Sequence, residues 1–246
     1  SWGPRIEGQE YTKWDGSKAR MQAYDNVANY FKSGIDLTEN VAFSQMYERT
    51  SVYTSLTRTD NKSHIPGASL GRTNLTLRAT TKFGPSDRWS TDTKVQYIRT
   101  FVQNRPMNGS NASNAFYTIY SLPRSMDIRD FSNPRTADGN MRWYGEGSQT
   151  NPYWASKYNL NSDTRDRFLL SAALKYKVTD WLDAELRVGS DQYATRVERK
   201  TYAGSPIAKG GGQYETEQVK FYENNYSFLI SAHKDNLFDK LGASGS

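Results

Sequence analysis

Residues 167–188 read RFLLSAALKYKVTDWLDAELRV. Phe168, Leu170, Ala172, Leu174, Tyr176 and Val178 alternate with Arg167, Ser171, Lys175 and Lys177. Thr179-Asp180 turns the chain, and Leu182, Ala184, Leu186 and Val188 then alternate with Asp183, Glu185 and Arg187. A period of two marks a strand with one apolar and one polar face, and two such runs across a tight turn read as a β-hairpin. The first run has a competing reading. Phe168, Leu169, Ala172, Ala173 and Tyr176 also fit a helical stripe, with Ser162 as its N-cap. The second run fits a helix less easily, and the tight turn favours the hairpin.

The same pattern extends outward. Leu75, Leu77, Ala79 and Phe83 oppose Asn74, Thr76, Arg78 and Lys82. Gly84-Pro85-Ser86-Asp87 reads as a turn. Trp89, Val95, Tyr97 and Phe101 then share a face, opposed by Asp92, Lys94 and Gln96. On a strand tilted about 45°, Trp89 and Phe101 stand roughly 28 Å apart along a membrane normal, close to the spacing of the aromatic girdles of outer-membrane barrels. A further strand covers 214–232, with Tyr226, Phe228, Ile230 and Ala232 on one face. The turns at 84–88 and 179–180 are short, whereas the connections 104–163 and 203–213 are long. That asymmetry is typical of membrane barrels.

Composition narrows the alternatives. The chain has 246 residues, no cysteine and a formal charge of +6. Disulfides and thiolate metal sites are therefore excluded. His64 and His233 stand far apart in sequence, which argues against a histidine metal site or triad, and no metal or cofactor is expected. Acids and bases are mixed along the chain without a basic block, so the charge reads as solvated surface and not as a nucleic-acid footprint. There is no run of about 18 apolar residues, hence no membrane-spanning helix. The mean hydropathy of −0.84 does not exclude a membrane barrel, which meets lipid with every second residue of a short band. The 17 tyrosines suit interfacial girdles.

No catalytic constellation emerges, and an enzyme is not expected. Asp183 and Glu185 have the same-face spacing of a strand, but they read best as polar positions facing a lumen, together with Asp92, Lys94 and Arg187. Gly210-Gly211-Gly212 lacks the Lys-Ser/Thr of a phosphate loop and reads as a loop tip. Trp143, Tyr144, Tyr153 and Trp154, in the long connection, supply aromatic faces that could stack on sugar rings or peptide side chains, or pack the loop itself. The connection carries few aliphatic residues. It is therefore expected to need another surface to become ordered.

Several stretches, in order, resemble the SusC/RagA family of TonB-dependent outer-membrane transporters. Ser1-Trp2-Gly3-Pro4-Arg5-Ile6-Glu7-Gly8 is similar to the stretch where that family's plug ends, and Asn29-Tyr30-Phe31-Lys32-Ser33-Gly34 to its approach to the barrel. The run from Asn40 to Asp60 resembles the first barrel strands, with Gln45-Met46 where the family usually carries Gly-Gly. Arg72-Thr73-Asn74, Asn151-Pro152-Tyr153-Trp154 and the hairpin ending Thr179-Asp180-Trp181-Leu182 complete the series.

The resemblance implies a partial transmembrane antiparallel β-barrel, all-β, from a plugged barrel of about 22 strands. It assigns 1–39 to the end of the plug and its linker. It assigns 40–246 to the first six to seven strands or so, with 104–163 as a long extracellular loop. The TonB box and the remaining strands are expected outside these residues. The implied function is TonB-dependent import of an oligosaccharide or oligopeptide across the outer membrane, under a SusD-like surface lipoprotein. Two other classes share the alternation: a passive porin, and a soluble extracellular β-sandwich that binds glycans. The apolar face discriminates, because a sandwich buries it against a second sheet.

Overall fold

The computed structural model describes residues 3–145, 149–208, 211–238 and 243–245. Two short strands, β1 (Glu10–Thr12) and β2 (Lys18–Arg20), form a small hairpin and precede a single-turn helix α1 (Asn26–Tyr30). Then come β3 (Ile35–Tyr47), β4 (Thr50–Lys62), β5 (Ser69–Phe83) and β6 (Trp89–Gln103). The connection after β6 carries two short helices, α2 (Ala115–Ser121) and α3 (Pro152–Tyr158). It is followed by β7 (Asn159–Lys177), β8 (Leu182–Thr201) and β9 (Gln213–Ala232), and a small last pair joins β10 (Lys234–Phe238) to β11 (Ala243–Gly245). Strands β3 to β9 form one seven-stranded sheet in sequence order, antiparallel throughout.

The register settles the ambiguity at 168–176. Phe168 pairs with Tyr97 on one side and with Gln192 on the other, and Leu174 pairs with Thr91 and Leu186. The backbone groups of this run are used by two ladders, which leaves none for a helix. The strands are longer than the alternation shows. β7 begins at Asn159 and β8 continues to Thr201, so the loop between β6 and β7 is 104–158. β3 begins at Ile35, inside the segment read as plug and linker. The β7 and β8 extensions are mostly polar or charged, so no apolar period reveals them, whereas Ile35 and Leu37 on β3 continue the alternation of Val41 and Phe43.

The unbroken register places one apolar set on one face: Val41 and Phe43 on β3, Leu56 on β4, Leu75 and Leu77 on β5, Val95 and Tyr97 on β6, Phe168 to Leu174 at even positions on β7, Leu186 and Val188 on β8, and Phe228 and Ile230 on β9. Much of this face is open, with Val41 74% and Phe228 66% exposed. Among the described residues no second sheet covers it, as a sandwich would require. A continuous apolar face of this extent far exceeds what a soluble monomer leaves in water. The band also slants. At the level of Val41 and Leu56, β8 carries Gln192, whereas β8 and β9 reach their apolar residues nearer the short turns. Such a slant is what tilted, staggered barrel strands need to hold a level band. Phe83, Trp89 and Tyr176 gather at the short-turn end, with centroids 6.2 and 4.3 Å apart in turn.

The short turns lie at one end. Glu48 (φ 51) closes the β3–β4 turn. Gly84 (φ 78) opens the β5–β6 turn, where a Cβ would meet the Trp89 ring at 2.9 Å. An Arg49–Asp87 ion pair of 2.7 Å ties the two turns. The other end carries 63–68, 104–158 and 202–212. No helix among the described residues is long and apolar enough to cross a membrane, which says nothing of strands. Leu174 sits amid the apolar face, beside Leu186. Against lipid, Leu174→Arg should cost about 2–4 kcal/mol in a denaturant titration. Ser171→Arg, on the opposite face, should cost far less.

Candidate functional site

The second face of the sheet is charged and concave. Cavities of about 500, 600 and 540 Å³ lie against it, the first bordered by residues from β3 through β8. Asp92, Glu185 and Arg187 line the first cavity, and Lys94 lines the third. Asp183 lies on the same face and accepts an ion pair from Lys175 at 3.1 Å. Charged neighbours close on one another across strands. Arg78 donates from Nε and Nη2 to Asp92 at 2.8 and 2.5 Å, and Arg167 does the same to Asp191. Arg187 donates to Glu185 at 2.7 Å. Ion pairs this exposed add little stability. Their effect is to line the concave wall with fixed, paired charge.

The long-loop end is roofed. Residues 104–158, the β4–β5 loop and the segment before β3 share a core of Tyr30, Ile65, Ala68, Ala115, Ile119, Leu122, Ile128 and Phe131. The other surface that the loop was expected to need is supplied, among the described residues, by this same chain: its few aliphatics are completed by side chains from distant stretches. Trp14 stacks on Phe131 at 5.1 Å, and Phe31 on Phe116 at 4.9 Å. Two buried asparagines stitch the irregular backbone. The Asn26 side chain donates to the Met126 carbonyl and accepts from the Ile128 N–H, both at 2.9 Å. Asn151, fully buried, donates to the carbonyls of Phe131 and Arg142 at 3.0 and 2.9 Å and accepts from the Tyr153 N–H at 2.8 Å, capping α3. The Tyr30 hydroxyl donates to the Pro152 carbonyl at 3.3 Å, and burial holds its pKa well above the ordinary value.

The aromatic candidates take different places. Trp154 is fully buried, its ring 4.4 Å from that of Tyr158 and 6.1 Å from that of Tyr202. It is a strut of the roof and cannot offer a face to a ligand. Trp143, Tyr144 and Tyr153 are half-buried and packed on the shared core. The aromatics that the loop leaves open are Tyr117 and Tyr120 on α2, at 48% and 68% exposure. They escaped the sequence reading, although Asn114 caps this helix and the two stand three residues apart on it. Within the segment read as the plug end and linker, 1–39, the described residues before β3 reach the long-loop rim, through Tyr11 to Ser125, Lys13 to Asp130 and Tyr24 to Arg124.

No family model matches the chain, and neither does any curated protein. Solved structures do. The chain is similar to the RagAB peptide importer in the "open-open" state and to the RagAB peptide transporter, each at a TM-score of 0.69 and 16% identity over 87% of this chain. It is similar to the "closed-closed" state at a TM-score of 0.62 and 17% identity. It spans about a quarter of those chains, 23 to 24% of their length. At such identity the likeness shows a shared fold.

Two outcomes follow for the roof. Trp154→Ala should cost about 3–5 kcal/mol locally. Limited proteolysis should then cut within 104–158 while the strand signal of the sheet in circular dichroism is kept. Asp127 supplies a pH dependence. Burial raises its pKa, but hydrogen bonds from the Arg129 side chain and N–H, with the guanidinium charge, outweigh burial and hold it below the ordinary value. A depressed carboxylate stabilises the fold above its unfolded pKa, about 3.9, and loses that contribution as pH falls through the folded value. Amide exchange in 125–131 should therefore accelerate below about pH 4, and Asp127→Asn should flatten the step.

Proposed function

We propose that this chain is a section of the barrel wall and outer loops of an outer-membrane nutrient importer of the SusC type. One combination of features carries the reading. A slanting, uncovered apolar band covers the convex face, and paired charge lines the concave one, on a fold similar to RagAB chains. In lipid every backbone donor and acceptor needs an internal partner, and the unbroken ladders from β3 to β9 supply them. The concave face then lines an aqueous lumen, and the roofed end faces outward. The described segment 3–34 forms part of that roof.

In this reading the cargo is an oligopeptide or an oligosaccharide. RagAB is described as a peptide importer, which favours the first. A SusD-like lipoprotein closes over the roofed end, with Tyr117 and Tyr120 as the exposed aromatics nearest to hand, and TonB supplies the energy.

These 246 residues hold no cysteine, so a single one introduced here, with any elsewhere in the protein replaced, reads the topology directly. In intact cells, Tyr120→Cys should react with a membrane-impermeant maleimide, and Ser86→Cys should react only after the outer membrane is opened. The reverse pattern would invert the assignment. Cells carrying the whole transporter should accumulate labelled oligopeptide or oligosaccharide. Accumulation should fall to background when TonB or the lipoprotein is removed. Uptake indifferent to TonB would leave a passive porin.

A further inference from the structure

On the concave face, strands β5, β7 and β8 carry Arg72, Arg78, Arg165, Arg167, Arg187 and Arg199. Arg78, Arg167, Arg187 and Arg199 are each closed by a carboxylate of the chain at 2.5 to 2.7 Å. Among the described residues Arg72 and Arg165 have no such partner. These two are not scattered. Arg72 pairs with Thr100, and Thr100 with Arg165, so they stand on one row of the sheet, two strands and roughly 10 Å apart at the backbone. Both border the same cavity of about 600 Å³ under the roof, with Thr100 between them.

Arg165 is also held in place. Its Nε donates to the hydroxyl of buried Thr195 at 2.8 Å, and its guanidinium lies 4.7 Å from the centre of the Tyr193 ring. That anchoring uses one N–H; among the described residues the two terminal nitrogens have no hydrogen-bond partner, and Arg165 borders the cavity. A guanidinium oriented by a hydroxyl and an aromatic face, and not by a carboxylate, keeps its charge for something else. The one carboxylate that borders the cavity, Asp163, is already taken by Arg105 at 2.9 to 3.1 Å.

We infer that Arg72 and Arg165, with the Thr100 hydroxyl between them, form a lumen-wall subsite for a carboxylate on the imported ligand. The inference rests on the import reading above. The chain already joins guanidinium forks to carboxylates side-on at Arg78–Asp92 and Arg167–Asp191. A ligand carboxylate would complete at Arg72 and Arg165 what those aspartates complete below, through charge-assisted bonds. One anchored and one unanchored partner on an open wall, in place of a closed cage, also permit release inward. A carboxylate can come from an acidic peptide or from an oligouronide, and the chemistry of the site is the same for both.

The test uses the full transporter with its lipoprotein in outer-membrane vesicles. Binding and uptake are measured for a glutamate-rich peptide, its glutamine counterpart, an oligogalacturonide and a neutral oligosaccharide. The wild type should prefer the acidic member of one pair, and that preference should weaken as salt rises. Arg72→Gln with Arg165→Gln should lower affinity for the acidic ligand about ten-fold or more and leave its neutral counterpart within about two-fold. Arg72→Gln alone removes a side chain that makes no hydrogen bond among the described residues, so it should keep assembly intact and give part of the loss. Equal effects on acidic and neutral ligands, or none on either, would overturn the subsite while leaving the importer. Failure of the wild type to take up any of the four would remove the importer and the subsite together.

Discussion

An unbroken antiparallel register is the constraint on which the rest of this molecule depends. Side chains alternate along a strand, so a slip of one residue in any ladder would carry a whole strand's apolar set to the charged face. The pairing from Glu39–Arg58 through Arg99–Asp166 keeps every strand in phase. The apolar face, the charged face and the end-to-end asymmetry all follow from that phase. In a lipid environment the same ladders would be obligatory, since an unpaired backbone group there costs several kcal/mol.

The roof is built on a different principle. Irregular backbone cannot satisfy itself, so side chains do it: Asn26 and Asn151 each bond two backbone groups or more from other segments. Aromatic rings supply the apolar volume that the loop's sparse aliphatics lack. The outcome is a cap whose parts come from 3–34, 63–68 and 104–158, none of which could bury a core alone. The parts of the cap are tied to one another where Tyr30 reaches Pro152 and the Asn104 side chain holds the Gly67 carbonyl at 3.1 Å.

Charge has a different role on each surface. Along the concave wall most guanidinium groups are answered by a carboxylate on the neighbouring strand or two residues along the same strand, which gives modest stability and a defined potential. The departures from that rule cluster at one level beneath the cap. Local pairing elsewhere makes such a departure informative, because an exposed cation without a partner is otherwise unremarkable on a protein surface.

The strand class, the polarity of each face and the short turns at 84–88 and 179–180 were legible in the sequence; the β3–β4 turn between Tyr47 and Thr50 was not. The period of two at 73–83, 89–101 and 168–188 is itself the physical demand of a sheet with unlike faces. Asp92, Lys94, Asp183, Glu185 and Arg187 could be assigned to a face because parity alone decides it. The strand extensions 159–166 and 189–201 were hidden, since beyond the apolar band nothing enforces alternation. The fate of the loop aromatics was hidden too. Whether Trp154 meets solvent or Tyr202 depends on contacts between residues 48 apart in the chain, and no local spacing encodes them. The neighbourhood of Arg72 and Arg165 likewise exists only in the register: they are 93 residues apart in sequence, and two adjacent ladders place them on one row.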